Sequence, residues 1–250
     1  MSDSMAKPGM PKRAMLLAAG RGERMRPITD SLPKPLVEVR GKAMLDHALD
    51  HLAAAGVEEV VINLCHLGEM IEAHLAGRTR PRILFSREAT LLETGGGVHR
   101  ALPLLGGEAF IVANGDMLWL DGRTPALERL ATAWYDATMD ALLLLHPTAY
   151  ALGYYGSGDF IMDPMGQLRR RVEREIAPFV FAGVQILHPR LFDSVTDENF
   201  SLNRLYDKAE EAGRLWGLRH DGDWFHIGTP QALQDAEEAL HHLHVMSVQR

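Results

Sequence analysis

The sequence predicts an α/β fold, a mainly parallel twisted sheet flanked by helices. Short apolar runs rich in Val, Ile and Leu recur at residues 14–19, 60–64, 83–86, 110–114 and 141–145. Helical patterns separate the earlier runs, so the strands are joined by right-handed crossovers rather than hairpins. The runs carry almost no polar interruptions, which implies burial on both faces.

Each element has its own signal. The first strand, 14–19, runs directly into a glycine turn. Residues 44–55 place Leu45, Ala48, Leu49 and Leu52 on one helical face, and Gly56 stands where a left-handed C′ residue ends a helix. Helices are also expected at 67–76 and 97–102. After about residue 150 the rhythm changes, with Gly153, Gly156 and Gly158 breaking the chain. A short strand at 160–162, a turn at 163–166, a strand at 179–187, a helix at 202–212 and strands at 215–219 and 224–227 follow. Thr229 and Pro230 start the last helix as N-cap hydroxyl and N1 proline, with Leu233, Ala236, Leu240 and Leu243 on one face. Residues 1–12 are expected to be a disordered N-terminus, and 13–250 a single domain with halves at 13–146 and 147–250.

Composition narrows the class. The 250 residues, 46% of them hydrophobic, are enough for a substantial core. A net charge of −7 argues against a nucleic-acid binder, which needs a broad basic surface. Cys65 is the only cysteine, so neither an internal disulfide nor a CxxC motif exists. No run approaches the roughly 20 apolar residues of a membrane span, and residues 1–12 lack the apolar stretch of a secretory leader. A cytoplasmic enzyme acting on anions is the expectation, with no membrane partner.

The chemistry concentrates at strand ends, where open parallel sheets bind ligands. Leu17, Ala18, Ala19, Gly20, Arg21 and Gly22 lead from the first strand to Arg24, and Lys34 stands between Pro33 and Pro35. Gly20 and Gly22 are free to take positive φ and turn amides onto a phosphate, while Arg24 and Lys34 add charge. The flanking prolines stiffen the base of the lysine. This is not a P-loop, because Ala43 follows Gly41 and Lys42, and not a dinucleotide fingerprint, because Met25 replaces the third glycine. Gly95, Gly96 and Gly97 at a helix start imply close backbone approach to a ligand. Asn114-Gly115-Asp116 ends the strand at 110–114 with a carboxylate able to hold Mg²⁺ against phosphate. Other polar clusters have plainer readings. His47 and His51 stand with Asp46 and Asp50 on a solvated helix, the tail histidines His241, His242 and His244 likewise, and Arg169, Arg170, Arg171 and Arg174 alternate with Glu173 and Glu175 on an exposed strand.

The run from Leu17 to Leu36 resembles the signature LAAGxGxRxxPxTxxxPKPL of the sugar-1-phosphate nucleotidyltransferases at every fixed position. With the two later motifs and Trp224-Phe225-His226-Ile227-Gly228-Thr229-Pro230, the resemblance spans most of the chain. It is closest to the bacterial N-acetylmuramate α-1-phosphate uridylyltransferases of cell-wall recycling. The resemblance implies a Rossmann-like (GT-A-like) nucleotidyltransferase architecture, with a nucleotide-binding first half and a sugar-binding second half. It implies UTP and a sugar 1-phosphate as partners, and Mg²⁺ as cofactor with Mn²⁺ able to replace it. Arg24, Lys34 and Asp116 are then catalytic. The stretch from Leu17 to Gly22, Gly95 to Gly97 and Asn114 take the nucleotide, and Asn114, Ala182, Gly183 and Asn203 the sugar. The family has an aspartate where His226 stands, completing the metal site with Asp116. Imidazole is a poor Mg²⁺ ligand, and on a strand Asp223 would face away from position 226. Asp116 and substrate phosphates are therefore expected to carry the metal, with His226 reaching the ion through water or contacting phosphate as a donor. The family's E-K-P segment, whose lysine grips the sugar phosphate, is also missing, which leaves an arginine among residues 169–174 to replace it. The main rival is guanylyl transfer to mannose 1-phosphate. A catalytically silent nucleotide-sugar sensor is disfavoured by the joint presence of Arg24, Lys34 and Asp116.

Overall fold

The protein is described by a computed structural model over residues 9–248. Residues 1–8, most of the N-terminal stretch expected to be disordered, lie outside the described residues, and Met10 near its end is buried in the core.

Strand β1 (Arg13–Leu17) is central because Ala14, Met15 and Leu16 offer apolar groups to both faces, and all three are fully buried. The chain then passes through the glycine loop and a small hairpin of β2 (Glu38–Val39) and β3 (Lys42–Ala43) into helix α1 (Met44–Ala55). Helix α1 buries Leu45, Ala48, Leu49 and Leu52, and Gly56 closes it in the left-handed conformation by donating to the carbonyls of Leu52 and Ala53. The alternation continues with β4 (Glu59–Leu64), α2 (Gly68–Leu75), β5 (Arg82–Arg87), α3 (Glu93–Leu105) and β6 (Phe110–Asn114). Strand β1 pairs in parallel with β4 on one side and β6 on the other. The chain thus leaves β1 in one direction and returns on the opposite side, creating a switch point at its carboxyl end.

Next come β7 (Leu118–Trp119), α4 (Ala126–Ala133) and β8 (Ala141–Pro147). Helix α4 escapes the sequence pattern because eight residues burying only Ala126, Leu127 and Leu130 give too short a periodic signal. The remaining elements are β9 (Phe160–Met162), β10 (Leu168–Arg170), β11 (Phe179–Leu187), α5 (Asn203–Glu211), β12 (Leu215–Arg219), β13 (Trp224–Phe225) and α6 (Pro230–Val248). Strand β11 runs antiparallel to both β6 and β8, so strands of the two halves share one nine-stranded sheet. That sheet is parallel across β6-β1-β4-β5 and mixed beyond β6.

Apolar clusters cover the two faces of the sheet, and a third joins Met25 and Val37 of the cation loop to Phe225, Ile227 and Ala236 near the C-terminus. Several boundaries differ from the sequence expectation for physical reasons. Strand β1 stops at Leu17 because the Ala18 N–H donates to the Asn63 side chain instead of a neighbouring strand. Strand β13 ends at Phe225, so position 226 lies outside it. On α6, Ala236 is buried whereas Leu243, further along the same expected face, is exposed. Among the described residues no helix is long and apolar enough to cross a membrane.

Candidate active site

The carboxyl ends of β1 and β6 lie side by side, and the turns after them build the site. Gly22, at φ 61, is the left-handed residue of the first turn, whereas Gly20 does not adopt positive φ, contrary to the expectation. The Gly22 carbonyl accepts from Met25 N–H at 2.8 Å and from the Thr29 hydroxyl at 2.9 Å. This closes a helical turn over Glu23–Met25, anchored by the fully buried Met25. A Cβ on Gly22 would stand 3.0 Å from Lys34 Cβ, whereas one on Gly20 would meet nothing within 4 Å. The Cβ side of Gly20 is therefore open space.

Lys34 opens a second turn, Lys34–Leu36, after an extended Pro33. It is only 8% exposed, and its ammonium donates to Asp116 Oδ2 at 2.7 Å. Asp116 reaches this point because the Gly115 N–H bonds the Leu17 carbonyl at 2.9 Å, linking the turn after β6 to the end of β1. A cleft of about 690 Å³ opens here. Leu17 to Gly22, Arg24, Lys34, Asn114 and Asp116 line it as expected positions, and Asn63, Thr94, Ser201 and Gly228 line it as residues the sequence reading missed. Neither Arg21 nor Arg24 has a carboxylate partner among the described residues, so both exposed guanidinium groups are available to an anion.

Asn63 had a legible signal, being a polar residue that interrupts the apolar run of β4 after Val60, Val61 and Ile62. Its Oδ1 accepts the Ala18 N–H at 2.8 Å, and its Nδ2 donates to Glu88 Oε1 at 2.7 Å. Glu88 Oε2 in turn accepts from Leu92 N–H at 3.1 Å. The buried pair thus ties the start of the glycine loop to the start of α3, the two walls of the cleft.

The expectation for Gly95, Gly96 and Gly97 needs correction. They sit inside the first turns of α3, are buried, and do not line the cleft. The N–H groups of Gly95 and Gly96 both donate to the Phe200 carbonyl, at 2.8 and 3.0 Å. A Cβ on Gly95 would meet the Phe200 ring at 2.3 Å, one on Gly96 the Glu198 carbonyl at 2.0 Å, and one on Gly97 Asn63 and Glu88 at 2.9 Å. The close approach is real, but its partner is the chain itself. Glu93 and Thr94, just before the glycines, face the cleft in their place.

The expected sugar residues lie further out. Gly183, at φ 80, stands behind Asn114, and a Cβ there would lie 3.2 Å from Asn114 Nδ2 and 2.8 Å from Met117. Ala182 is buried and its carbonyl accepts from the Trp224 indole at 3.0 Å, so its side chain does not line the cleft. Asn203 belongs to a second cavity. His226 is half-buried, with Tyr154 edge-on to its ring at 5.7 Å. A Cβ on Gly228 would lie 2.7 Å from His226 Nε2 and 3.5 Å from Arg24, so this glycine leaves room for both. Burial first, then the charges of Arg24 and Lys34, holds the imidazole pKa below its ordinary value. Asp223, beyond the other end of β13, is exposed.

For a divalent cation the donor set is sparse: among the described residues no group of three or more His, Cys, Asp or Glu could hold a metal ion. One carboxylate beside a phosphate site still fits Mg²⁺, which commonly binds through one or two carboxylates, substrate phosphates and water. A dedicated protein cage is not what these residues form.

Residues 14–150 match the model of the MobA-like NTP transferase domain. An N-acetylmuramate alpha-1-phosphate uridylyltransferase of Caulobacter vibrioides is 43% identical, over 92% of this chain and 97% of that protein. One of the same description from Neisseria meningitidis serogroup B is 37% identical over 90% and 96%. Among solved structures, a UDP-glucose pyrophosphorylase complexed with UDP-glucose superposes with a TM-score of 0.76 at 16% identity, covering 93% of this chain and 99% of that one. At that identity the likeness concerns the fold.

Proposed function

The chain belongs to the MobA-like NTP transferase family, and from that premise we propose that it transfers a uridylyl group from UTP to N-acetylmuramate α-1-phosphate, releasing pyrophosphate. The observation that carries the chemistry is the Lys34–Asp116 pair at 2.7 Å, set in a cleft at the switch point with Arg21 and Arg24, neither of which has a carboxylate partner among the described residues. The choice of uracil and muramate rests on the 43% identity along nearly the whole chain. The product, a nucleotide-activated cell-wall sugar, suits recycling of that sugar in the cytoplasm.

In the proposed reaction an oxygen of the sugar phosphate attacks the α-phosphorus in line. A new P–O bond forms as the α–β bridging bond breaks, and the electron pair leaves with pyrophosphate. Both partners are anions, so alignment and charge neutralisation supply most of the acceleration. Gly20 and Gly22 bring backbone against the triphosphate, and Arg24 stabilises the charge that gathers on the departing pyrophosphate. Lys34 lies at the junction of the two substrates, next to Asp116, where its ammonium can turn from the carboxylate to the phosphate under attack. Asp116 would hold Mg²⁺, which would neutralise phosphate charge when bound. His226, neutral and flanked by Arg24, is a hydrogen-bonding neighbour of phosphate rather than a metal ligand.

The test is pyrophosphate release with each of the four triphosphates against several sugar 1-phosphates. UTP with N-acetylmuramate 1-phosphate is expected to give the highest kcat/KM. A tenfold preference for GTP with mannose 1-phosphate, about 1.4 kcal/mol in the transition state, would replace this reading by its rival.

A further inference from the structure

A second cavity, of about 490 Å³, has Arg170, Arg171, Phe181 and Asn203 in its wall. Two segments connect the cavities. Ser201 lines the main cleft and Asn203, two residues on, the second. On β11, Phe181 faces the second cavity while Gly183 rests against Asn114 of the main cleft. Even across the bulge that breaks β11 near Gly183, two residues of chain span at most about 7 Å. A sugar whose phosphate lies at Lys34 can therefore extend its ring substituents into this cavity.

The consecutive arginines at its rim are not equivalent. Arg169 grips Glu175 through two contacts, at 2.9 and 2.6 Å. Arg170 is bonded to the Asp207 carboxylate. Arg171 makes no ion pair or hydrogen bond to a carboxylate among the described residues; its guanidinium makes a 3.4 Å hydrogen bond to the Glu175 carbonyl, and its charge adds to the Arg169 hydrogen bonds that hold the Glu175 carboxyl below its ordinary pKa. Of the acidic groups in the wall, Asp159 already accepts the Phe181 N–H at 2.9 Å, and Glu173 is exposed. A guanidinium without a carboxylate partner, at the mouth of a cavity of substrate size, is suited to bind a carboxylate through two parallel hydrogen bonds.

We propose that Arg171 binds a carboxylate-bearing substituent of the sugar, and that this contact selects N-acetylmuramate-type substrates over uncharged amino sugars. The proposal rests on the reading of the main cleft given above and names what the second cavity adds to it. Steady-state kinetics at saturating UTP, with N-acetylmuramate 1-phosphate and N-acetylglucosamine 1-phosphate, tests it in the wild type, Arg171→Gln and Arg171→Lys. Arg171→Gln should lower kcat/KM for the muramate substrate by about 30-fold or more and leave the glucosamine substrate within about threefold. Arg171→Lys, which keeps the charge but loses the fork, should recover part of the loss. Where turnover of the uncharged sugar is too slow to follow, its inhibition constant against the muramate substrate gives the same comparison. An equal loss with both sugars overturns the proposal, because Arg171 then serves the shared phosphate or the fold, and so does no loss with either. Failure of the underlying reading is separate: it appears in the wild type, as turnover of neither sugar with UTP.

Discussion

Lys34 and Asp116 form an ion pair at 2.7 Å; in the proposed reaction the lysine meets the phosphate under attack and the aspartate would hold Mg²⁺, and single substitutions separate these roles. Lys34→Ala or Arg24→Ala should each lower turnover at saturating substrate by at least about a hundredfold, since each is asked for several kcal/mol of charge stabilisation. Arg24 is exposed and has no carboxylate partner among the described residues, so its variant should melt like the wild type; near-normal turnover would remove the role assigned to it. Asp116→Ala should abolish metal-dependent activity. His226→Asp should retain or raise it and lower the Mg²⁺ concentration needed for half-maximal rate, because a hard oxygen replaces an imidazole that is neutral beside Arg24 and Lys34. A Mg²⁺ titration of turnover distinguishes the outcomes, and full activity in Asp116→Ala would show that the metal site lies elsewhere.

Among the elements, the glycine loop and the start of α3 look alike in sequence but serve different partners. Gly96→Ala drives a Cβ into the Glu198 carbonyl, so it should cost about 2–4 kcal/mol of stability, read as a lower denaturant midpoint. Gly20→Ala has open space and ordinary φ, so it should fold normally and raise the KM for UTP about tenfold by obstructing the triphosphate. If Gly20→Ala left KM unchanged, the loop would not be the phosphate cradle. The Asn63–Glu88 link joins these two elements. Asn63→Ala leaves the Ala18 N–H without its acceptor and Glu88 Oε1 without its donor, and should raise the KM for UTP more than it lowers kcat while also reducing the melting temperature.

For the whole molecule, the buried histidines set the response to acid. Burial, the largest cause, holds the pKa of both His146 and His220 below the ordinary value, and His188 and His226 are lowered in the same direction. The unfolded chain then binds more protons than the native one as pH falls through about 6.5. Stability is therefore full above that pH and declines below it. Urea midpoints measured at pH 7.5 and 5.5 should fall on acidification, and less steeply in a His220 variant that still folds; equal midpoints would contradict the assignment. At this scale the division between sequence and structure is also clear. Local chemistry made the glycine-cation turns, the apolar strands around β1 and the stop of α1 at Gly56 legible, because each depends on residues adjacent in the chain. The strand-end carboxylate of Asp116 was legible for the same reason. Tertiary structure alone decided that Gly95 and Gly96 close on Phe200 and Glu198, some hundred residues away, and Gly97 on Asn63 and Glu88. It also decided that Asn63 and Glu88 span the cleft and that Asn203 joins Arg171 in a separate cavity. A sequence pattern records which residue can approach closely or carry charge; which distant group meets it is fixed only when the sheet brings both together.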